Sequence, residues 1–228
     1  MTVPLAEFVK ETGARDSFLQ SNRGKLNCAS LMKRLPFHIL ALPLVVLNCY
    51  CAWAKEASPA SLQALDLTGH SVNPFLKSEA KTKLVVFVFV RTDCPISNSY
   101  APLIQRLYQT YSGRGVAFWL VYTEADESAD LIRKHMTEYN LTCPALRDTK
   151  LARATRSKVR VTPEAAVYNT TGGLLYHGRL DDRWAELGKS RPEATTHELA
   201  QAIEDTLAGK PVTPASAPAA GCIIEGLK

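Results

Sequence analysis

KLVVFVFVRTDCPISNSYAPLIQRLYQTY, residues 83–111, is the stretch of the chain that decides its fold. It begins with seven consecutive apolar residues, 84–90, most of which are β-branched or aromatic. Continuous apolarity, rather than alternation, predicts a central strand that is covered on both faces. Farther along, apolar residues recur at the spacing of one helix face, at positions 100, 103, 104, 107, 108 and 111. The stretch therefore predicts a buried strand, a short loop and an amphipathic helix.

A cysteine, Cys94, stands where this helix begins, and Pro95 follows it. Proline suits the first helical position because its missing N–H would have no partner there. The unpaired N–H groups and the helix dipole at such a position favour a thiolate over a thiol. A thiolate is the nucleophile in disulfide exchange and in attack on peroxides. Because polar residues flank Cys94 on both sides, we expect a reactive loop cysteine, with a buried structural cysteine as the alternative.

The rest of the chain alternates strand and helix patterns. Strands are predicted at 116–122, 144–146, 165–168 and 174–176, and a small hairpin over 61–72 turns at Thr68-Gly69. Helices with the S/T-x-x-D/E start are predicted from Thr123 and from Thr195, and the second should stop at Gly209. Strand–helix–strand units imply parallel pairing, while the hairpins add antiparallel strands. The sequence predicts an α/β fold in which helices sandwich a mixed sheet.

The N-terminal part has the pattern of an export signal. Residues 1–31 lack periodicity and are interpreted as an extension or as a start site placed too early. A basic segment, a short apolar run and an A-x-A site over 32–54 predict a secretory signal. Lipid attachment at Cys49 and an uncleaved membrane anchor remain alternatives. We expect an exported, periplasmic or otherwise extracytoplasmic protein that contacts a membrane only through an uncleaved or lipidated N-terminus.

Charge, motifs and cysteine count limit the classes of partner and cofactor that the chain could bind. The net charge is +5 without a basic face, so nucleic acid is not an expected partner. No glycine-rich phosphate loop is visible, and we predict no cofactor. Cleavage after Ala54 would remove three cysteines and leave Cys94, Cys143 and Cys222. Three cysteines in an exported protein suggest one disulfide with a spare thiol, or a reactive thiol.

The C-terminal tail, 211–228, begins with PVTPASAPAA, which predicts a semi-extended spacer. Cys222 lies twelve positions after Lys210, and this length of chain could span about 37 Å, against a radius of gyration of about 16 Å for the domain. The spacer could therefore carry Cys222 to Cys94. We divide the chain into the extension 1–31, the signal or anchor 32–54, the domain 55–210 and the tail 211–228.

The pattern resembles the thioredoxin superfamily, and more closely its exported bacterial redoxins of the peroxiredoxin-like AhpC/TSA type, over about residues 60–210. The segments that carry the resemblance are TDCPISNSYAPLI, GVAFWLVY, PALRD, VTPEAAVY, YHGRLDDRW and a terminal GC-x-I. The resemblance implies a thioredoxin-like fold with Cys94 at the active-site position. It also implies that Pro102 is the proline inside the following helix, and that Thr162-Pro163 is the cis-proline loop facing the active cysteine.

Two departures from the family pattern affect the expected chemistry. Ser97 replaces the second cysteine of C-x-x-C, so Cys94 needs a distant resolving cysteine, of which Cys222 is the first candidate and Cys143 the second. The T-x-x-C pattern of peroxidases is absent, because Arg91 stands three residues before Cys94 and Thr92 two before. Arg91 could lower the pKa of Cys94, although Asp93 would oppose this.

Further residues complete the predicted site. Arg160, just before the Thr162-Pro163 loop, is another possible cation near Cys94. Metal binding is not expected, since a copper site in this fold would want two cysteines three residues apart and a distal histidine. His135 is interpreted as a core or boundary histidine, Asp181-Asp182 as a polar turn, and His70 and His177 as exposed.

The leading hypothesis is an exported thiol–disulfide oxidoreductase whose partner is a protein disulfide or a thiol reductant. The first alternative is a peroxiredoxin-like peroxidase with antioxidant activity, in which peroxide oxidises Cys94. The second alternative is a non-catalytic redoxin module that binds a partner protein.

Overall fold

The computed structural model describes residues 63–75 and 82–227. The predictions that lie outside these ranges concern the extension 1–31, the export signal 32–54, Cys28, Cys49 and Cys51. Within the described ranges, the chain contains no helix that is both long enough and apolar enough to cross a membrane.

The described residues form one mixed sheet with helices packed on it. Its strands are β1 (Ala64–Asp66), β2 (Ser71–Val72), β3 (Leu84–Val90), β4 (Val116–Tyr122), β5 (Ala145–Arg147), β7 (Glu164–Asn169), β8 (Leu174–Gly178) and β11 (Ser216–Ala217). Two further pairs are β6 (Val161–Thr162) with β12 (Cys222–Ile223), and β9 (Trp184–Glu186) with β10 (Lys189–Ser190). The helices are α1 (Pro95–Tyr111), α2 (Ala129–Glu138), α3 (Ala152–Ser157) and α4 (Glu198–Leu207), and a 3₁₀ turn at Ser112–Arg114 follows α1.

Strand β3 lies in the middle of the sheet, whose order is β11-β8-β7-β3-β4-β5-β1-β2. It pairs in parallel with β4 and antiparallel with β7. The seven residues of β3 are all buried, as continuous apolarity predicted. The predicted mixed sheet and its strands are confirmed.

The two faces of β3 enter two separate cores. Leu84, Val86 and Val88 join the core that contains apolar residues of α1 and α4. Val85, Phe87 and Phe89 join the second core, which contains Ala154 of α3, Phe75 and Ile224 of the tail. Because side chains alternate along a strand, both cores are required to bury this one segment. The sheet is therefore covered on both sides.

The predicted starts of two helices are wrong. Thr123 is buried at the end of β4, and α2 begins only after Ser128, whose hydroxyl accepts a hydrogen bond from the N–H of Leu131. The last helix, α4, begins at Glu198 because the N–H groups of Thr195 and Thr196 bind the carboxylate of Asp182 instead. For α2, a later residue, Ser128, is the cap. For α4, the N–H groups at the predicted start bind Asp182, which is distant in the sequence.

The tail carries Cys222 to Cys94, and on the way it pairs with the main sheet, which its composition did not predict. Ser216 and Ala217 pair in parallel with His177 and Gly178 at the edge of the main sheet. Gly178 has a φ of +147°, and a Cβ at that residue would overlap the backbone of Ala217. Small residues therefore let two backbones approach closely. The tail continues to β12, which pairs with β6.

The burial of Leu120 of β4 in one of the two cores predicts that its side chain contributes strongly to stability. We expect Leu120→Ala to lower the free energy of unfolding by about 2–5 kcal/mol, because it leaves a cavity in a closely packed core. Leu120 has 0% of its surface exposed, whereas Leu187 is 67% exposed and serves as the matched control. Leu187→Ala should change the free energy by less than about 0.5 kcal/mol. Urea unfolding of the disulfide-bonded protein measures both, and equal losses would contradict the described packing.

Candidate active site

Cys94 is the N-cap residue of α1, four residues after the end of β3. Its backbone is extended, with φ −84° and ψ 111°, and its Sγ accepts the N–H of Ser97 at 3.5 Å. The predicted helix start at Pro95 is confirmed, and Pro102 lies inside the helix as the resemblance implied. The flanking polar residues favoured a loop residue over a core one, but Cys94 is 1% exposed and belongs to the core around α1. The tail and the cis-proline loop both lie against it.

Cys94 is joined to Cys222 by a disulfide bond. The two Cα atoms are 6.1 Å apart, although the residues are 128 positions apart in the sequence. Cys222 is half-buried and packs against the same core as Cys94. The structure therefore brings together the first candidate pair of the sequence analysis.

The Thr162–Pro163 peptide bond is cis, as the resemblance implied, and this loop faces Cys94. The carbonyl oxygen of Thr162 lies 3.1 Å from the Sγ of Cys94, where a thiol would donate to it. Thr162 and Pro163 are both buried. Glu164 accepts the N–H groups of Arg160 and Val161 at 2.7 and 3.2 Å, which holds the loop in place.

The tail crosses this loop as a short antiparallel strand. Cys222 is opposite Thr162, and Ile223 is opposite Val161. The N–H of Ile224 continues the pairing by donating to the carbonyl of Arg160 at 3.0 Å. The contacts described for Arg160 are those of its backbone, and its side chain is exposed. The backbone of Arg160 therefore connects the tail to the cis-proline loop, through the N–H of Ile224 and the carboxylate of Glu164.

The charge of Arg91 is compensated by two carboxylates. Its guanidinium donates to both oxygens of Asp93 at 2.9 and 3.0 Å, and it lies 3.5 Å from Glu124. The hydrogen bond to Asp93 raises the pKa of Arg91. Arg91 and Asp93, which were expected to have opposite effects on the pKa of Cys94, therefore form an ion pair with each other.

Thr92 is fixed by residues that sequence patterns did not identify. Its N–H donates to Glu127 at 2.7 Å, and its carbonyl accepts from the side chain of Asn98 at 3.0 Å. Glu127 is only 4% exposed, and burial raises its pKa. Glu127 carried no signal in the sequence, while Asn98 is four residues from Cys94 on the same helix face.

The buried His135 lies within hydrogen-bonding distance of Asn98 of α1 and of Tyr122 of β4. The Nε2 of His135 lies 2.8 Å from Oδ1 of Asn98, and its Nδ1 lies 2.9 Å from the hydroxyl of Tyr122. Burial lowers the pKa of His135. The prediction of a core or boundary histidine is confirmed.

Cys143 is not brought to Cys94. It is a free cysteine with 0% exposure in the core beneath α1. Burial raises the pKa of its thiol to about 12. A thiol that neither ionises readily nor reaches the surface is poorly suited to disulfide exchange.

Asp181 and Asp182, interpreted from the sequence as a polar turn, lie between β8 and β9 and are 5% and 4% exposed. Tyr100 of α1 donates to Asp181 at 2.5 Å, while Asp182 binds the segment before α4. These hydrogen bonds connect the end of the sheet to both helices. His70 is exposed as predicted, but His177 is half-buried, 3.7 Å from Glu164.

The comparisons with known proteins agree with this geometry. The sequence matches the model of the AhpC/TSA family over residues 54–176. That match covers more than half of the chain, and the protein belongs to the AhpC/TSA family. Its fold is thioredoxin-like. No curated protein matches the sequence.

Two solved structures with TM-scores above 0.5 support the fold, and a third is reported as a more distant similarity. A hypothetical protein from Sinorhizobium meliloti 1021 has a TM-score of 0.61 and 23% identity, covering 72% of this chain and 89% of that one. An uncharacterized conserved protein from Geobacillus kaustophilus has a TM-score of 0.59 and 22% identity, with coverages of 72% and 87%. A secreted disulfide oxidoreductase from Mycobacterium tuberculosis, described as homologous to E. coli DsbE, has a TM-score of 0.44 and 17% identity, with coverages of 67% and 98%.

The disulfide should contribute measurably to stability. We expect its reduction to lower the free energy of unfolding by roughly 2–4 kcal/mol, because the bond closes a very long loop in the unfolded chain. Urea unfolding with and without a reductant measures this loss. Cys222→Ser should unfold like the reduced protein and should not respond to the reductant. Identical midpoints for the oxidised and reduced proteins would contradict the prediction.

The burial of Cys143 predicts selective alkylation. At about pH 8, iodoacetamide should modify Cys222 in the reduced native protein and leave Cys143 unmodified, because the buried thiol does not ionise there. Peptide mass spectrometry after a timed reaction measures both sites. The control is the same reaction in denaturant, where both thiols should react. Equal alkylation in the native protein would show that Cys143 is accessible.

Proposed function

We propose that the protein is a thiol–disulfide oxidoreductase that exchanges one disulfide with a partner protein, with Cys94 as the nucleophile and Cys222 as the resolving thiol. The observation that carries this proposal is the disulfide between Cys94 and Cys222, which lies beside the cis Thr162-Pro163 loop. Membership of the AhpC/TSA family supports redox chemistry at a cysteine.

The proposed exchange has two steps. The Cys94 thiolate attacks one sulfur of the partner's disulfide, which forms a mixed disulfide and releases one partner thiolate. The Cys222 thiolate then attacks the sulfur of Cys94, which forms the Cys94–Cys222 disulfide and releases the second partner thiolate. Two electrons pass from this protein to its partner, and the reverse sequence oxidises a partner dithiol. The relative reduction potentials decide the direction.

Local geometry supports Cys94 as the nucleophile. It occupies the N-terminus of a 17-residue helix, where a negative sulfur is stabilised by the dipole and by the N–H of Ser97. The partner's backbone would pair with Thr162, as strand addition does elsewhere. The tail already makes this pairing within the chain, through Cys222 and Thr162.

Disulfide exchange is favoured over peroxide reduction. The residue three positions before Cys94 is Arg91, whose guanidinium is bound to Asp93. Thr92 is held through its backbone by Glu127 and Asn98. A preformed Cys94–Cys222 pair also argues against a role limited to binding.

We further propose that this exchange takes place outside the cytoplasm. Disulfides persist in oxidising compartments, and the 32–54 segment has the pattern of an export signal.

Single cysteine variants test the proposed function. Cys94→Ser should lower the rate of reduction of a protein disulfide, such as insulin with a dithiol reductant, by at least about 100-fold, because the covalent step is lost. Cys222→Ser should accumulate a mixed disulfide through Cys94, which mass spectrometry detects. Cys143→Ser is the matched control and should keep the rate of the unaltered protein. A fully active Cys94→Ser variant would disprove the proposal.

The same proteins distinguish peroxidase activity. Peroxide consumption by the reduced protein should not exceed that of Cys94→Ser. Fast consumption that requires Cys94, without reduction of insulin, would instead favour the peroxidase.

A further inference from the structure

We propose that residues 221–224, Gly-Cys-Ile-Ile, are an internal copy of the segment that this protein binds in its partner. The partner segment would be extended, with a glycine before the reacting cysteine and a branched apolar residue two positions after it. The inference rests on the proposed function and specifies the substrate class of the same site.

The first step of the argument concerns the mixed disulfide. Its partner sulfur must bond to Cys94, as the sulfur of Cys222 does in this structure. Cys94 is 1% exposed with the tail in place, and the carbonyl of Thr162 lies 3.1 Å from its sulfur, so the space that opens at Cys94 when the tail leaves is the space that the tail occupied. The partner's chain would therefore follow the path that the tail follows, and would pair with Val161 and Thr162 as β12 does.

The second step concerns the residue before the reacting cysteine. Gly221 is buried, and a Cβ at this position would overlap the carbonyl group of Thr162. The carbonyl belongs to the cis-proline loop, which is fixed by the hydrogen bonds of Glu164 to Arg160 and Val161. The loop cannot easily retreat from a larger residue. The path past Thr162 therefore selects glycine.

The third step concerns the residues after the cysteine. Ile223 is 71% exposed, whereas Ile224 is 2% exposed and belongs to the core that contains Phe75 and Val159. The difference follows from strand geometry, in which alternate side chains point to opposite sides. The N–H of Ile224 is also bound to the carbonyl of Arg160. The second position after the cysteine is therefore recognised, while the first is open to solvent.

The tail and a partner would compete for this one path. The tail is part of the chain, so its local concentration is high and a partner must displace it. Once the disulfide opens, backbone pairing and the burial of Ile224 hold residues 221–224 in place. Weakening the contact of Ile224 should therefore give a partner easier access to Cys94.

Four peptides test the copied pattern with the full-length, reduced Cys222→Ser protein. Each capped peptide contains GCII, GCDI, GCID or VCII, and carries its cysteine as a mixed disulfide with thionitrobenzoate. Attack by Cys94 releases thionitrobenzoate, whose absorbance gives the rate. GCDI and GCID have the same composition and charge, so they form a matched pair.

We expect GCII and GCDI to react at similar rates, and GCID and VCII to react about tenfold or more slowly. Equal rates for all four peptides would overturn this inference and leave the reactivity of Cys94, and with it the proposed function, intact. Rates no faster than those of the Cys94→Ser, Cys222→Ser double variant would overturn the proposed function and this inference together.

Neighbouring isoleucines of the chain test the competition. In the Cys222→Ser background, Ile224→Asp should speed the reaction of GCII by about threefold or more, because it weakens the competing tail. Ile223→Asp is the control and should leave the rate unchanged. Circular dichroism and urea midpoints report whether each variant is folded. Equal rates in two folded variants would overturn the proposed competition between the tail and a partner. If Ile224→Asp does not fold, the peptide series alone decides whether the inference holds.

Discussion

Strand β3 is buried on both faces along its whole length, and the position of the redox site depends on that burial. A shift of β3 by one residue would exchange the side chains of its two cores, so its register with β4 and β7 is strongly specified. The end of β3 sets the start of α1 and therefore the position of Cys94. Phe89 is paired with Glu164, the residue that follows Pro163, which brings the cis-proline loop to the same end of the sheet.

The tail completes this site although its composition could not build a core. It is attached by backbone pairing at two places, by the side chain of Ile224 and by the disulfide of Cys222. The close approach past Thr162 is possible because Gly221 has no Cβ. The disulfide and the pairing of Cys222 with Thr162 hold the tail on the domain and also place it against Cys94. Access to Cys94 and attachment of the tail are consequently linked.

The polar residues around Cys94 form a rigid framework. Arg91 is bound by Asp93, and Thr92 is bound by Glu127 and Asn98. Burial raises the pKa of Glu127 because its charged form loses hydration, and the N–H of Thr92 partly compensates that loss. These interactions orient the segment between β3 and α1. The helix N-terminus and the N–H of Ser97 are then the features closest to the sulfur that favour a negative charge.

The sequence by itself determined the main strands and the position of Cys94 at a helix start, because apolar periodicity and local motifs are short-range signals, and the resemblance implied the cis-proline loop. The predicted starts of α2 and α4 were wrong. Before α4, for example, the N–H of Thr195 donates to Asp182, a partner that the local capping pattern does not contain. Only the tertiary structure decided that Cys222 lies at Cys94 while Cys143 is enclosed in the core. Chain length permitted Cys222 to reach Cys94, and backbone hydrogen bonds between segments far apart in the sequence place it there.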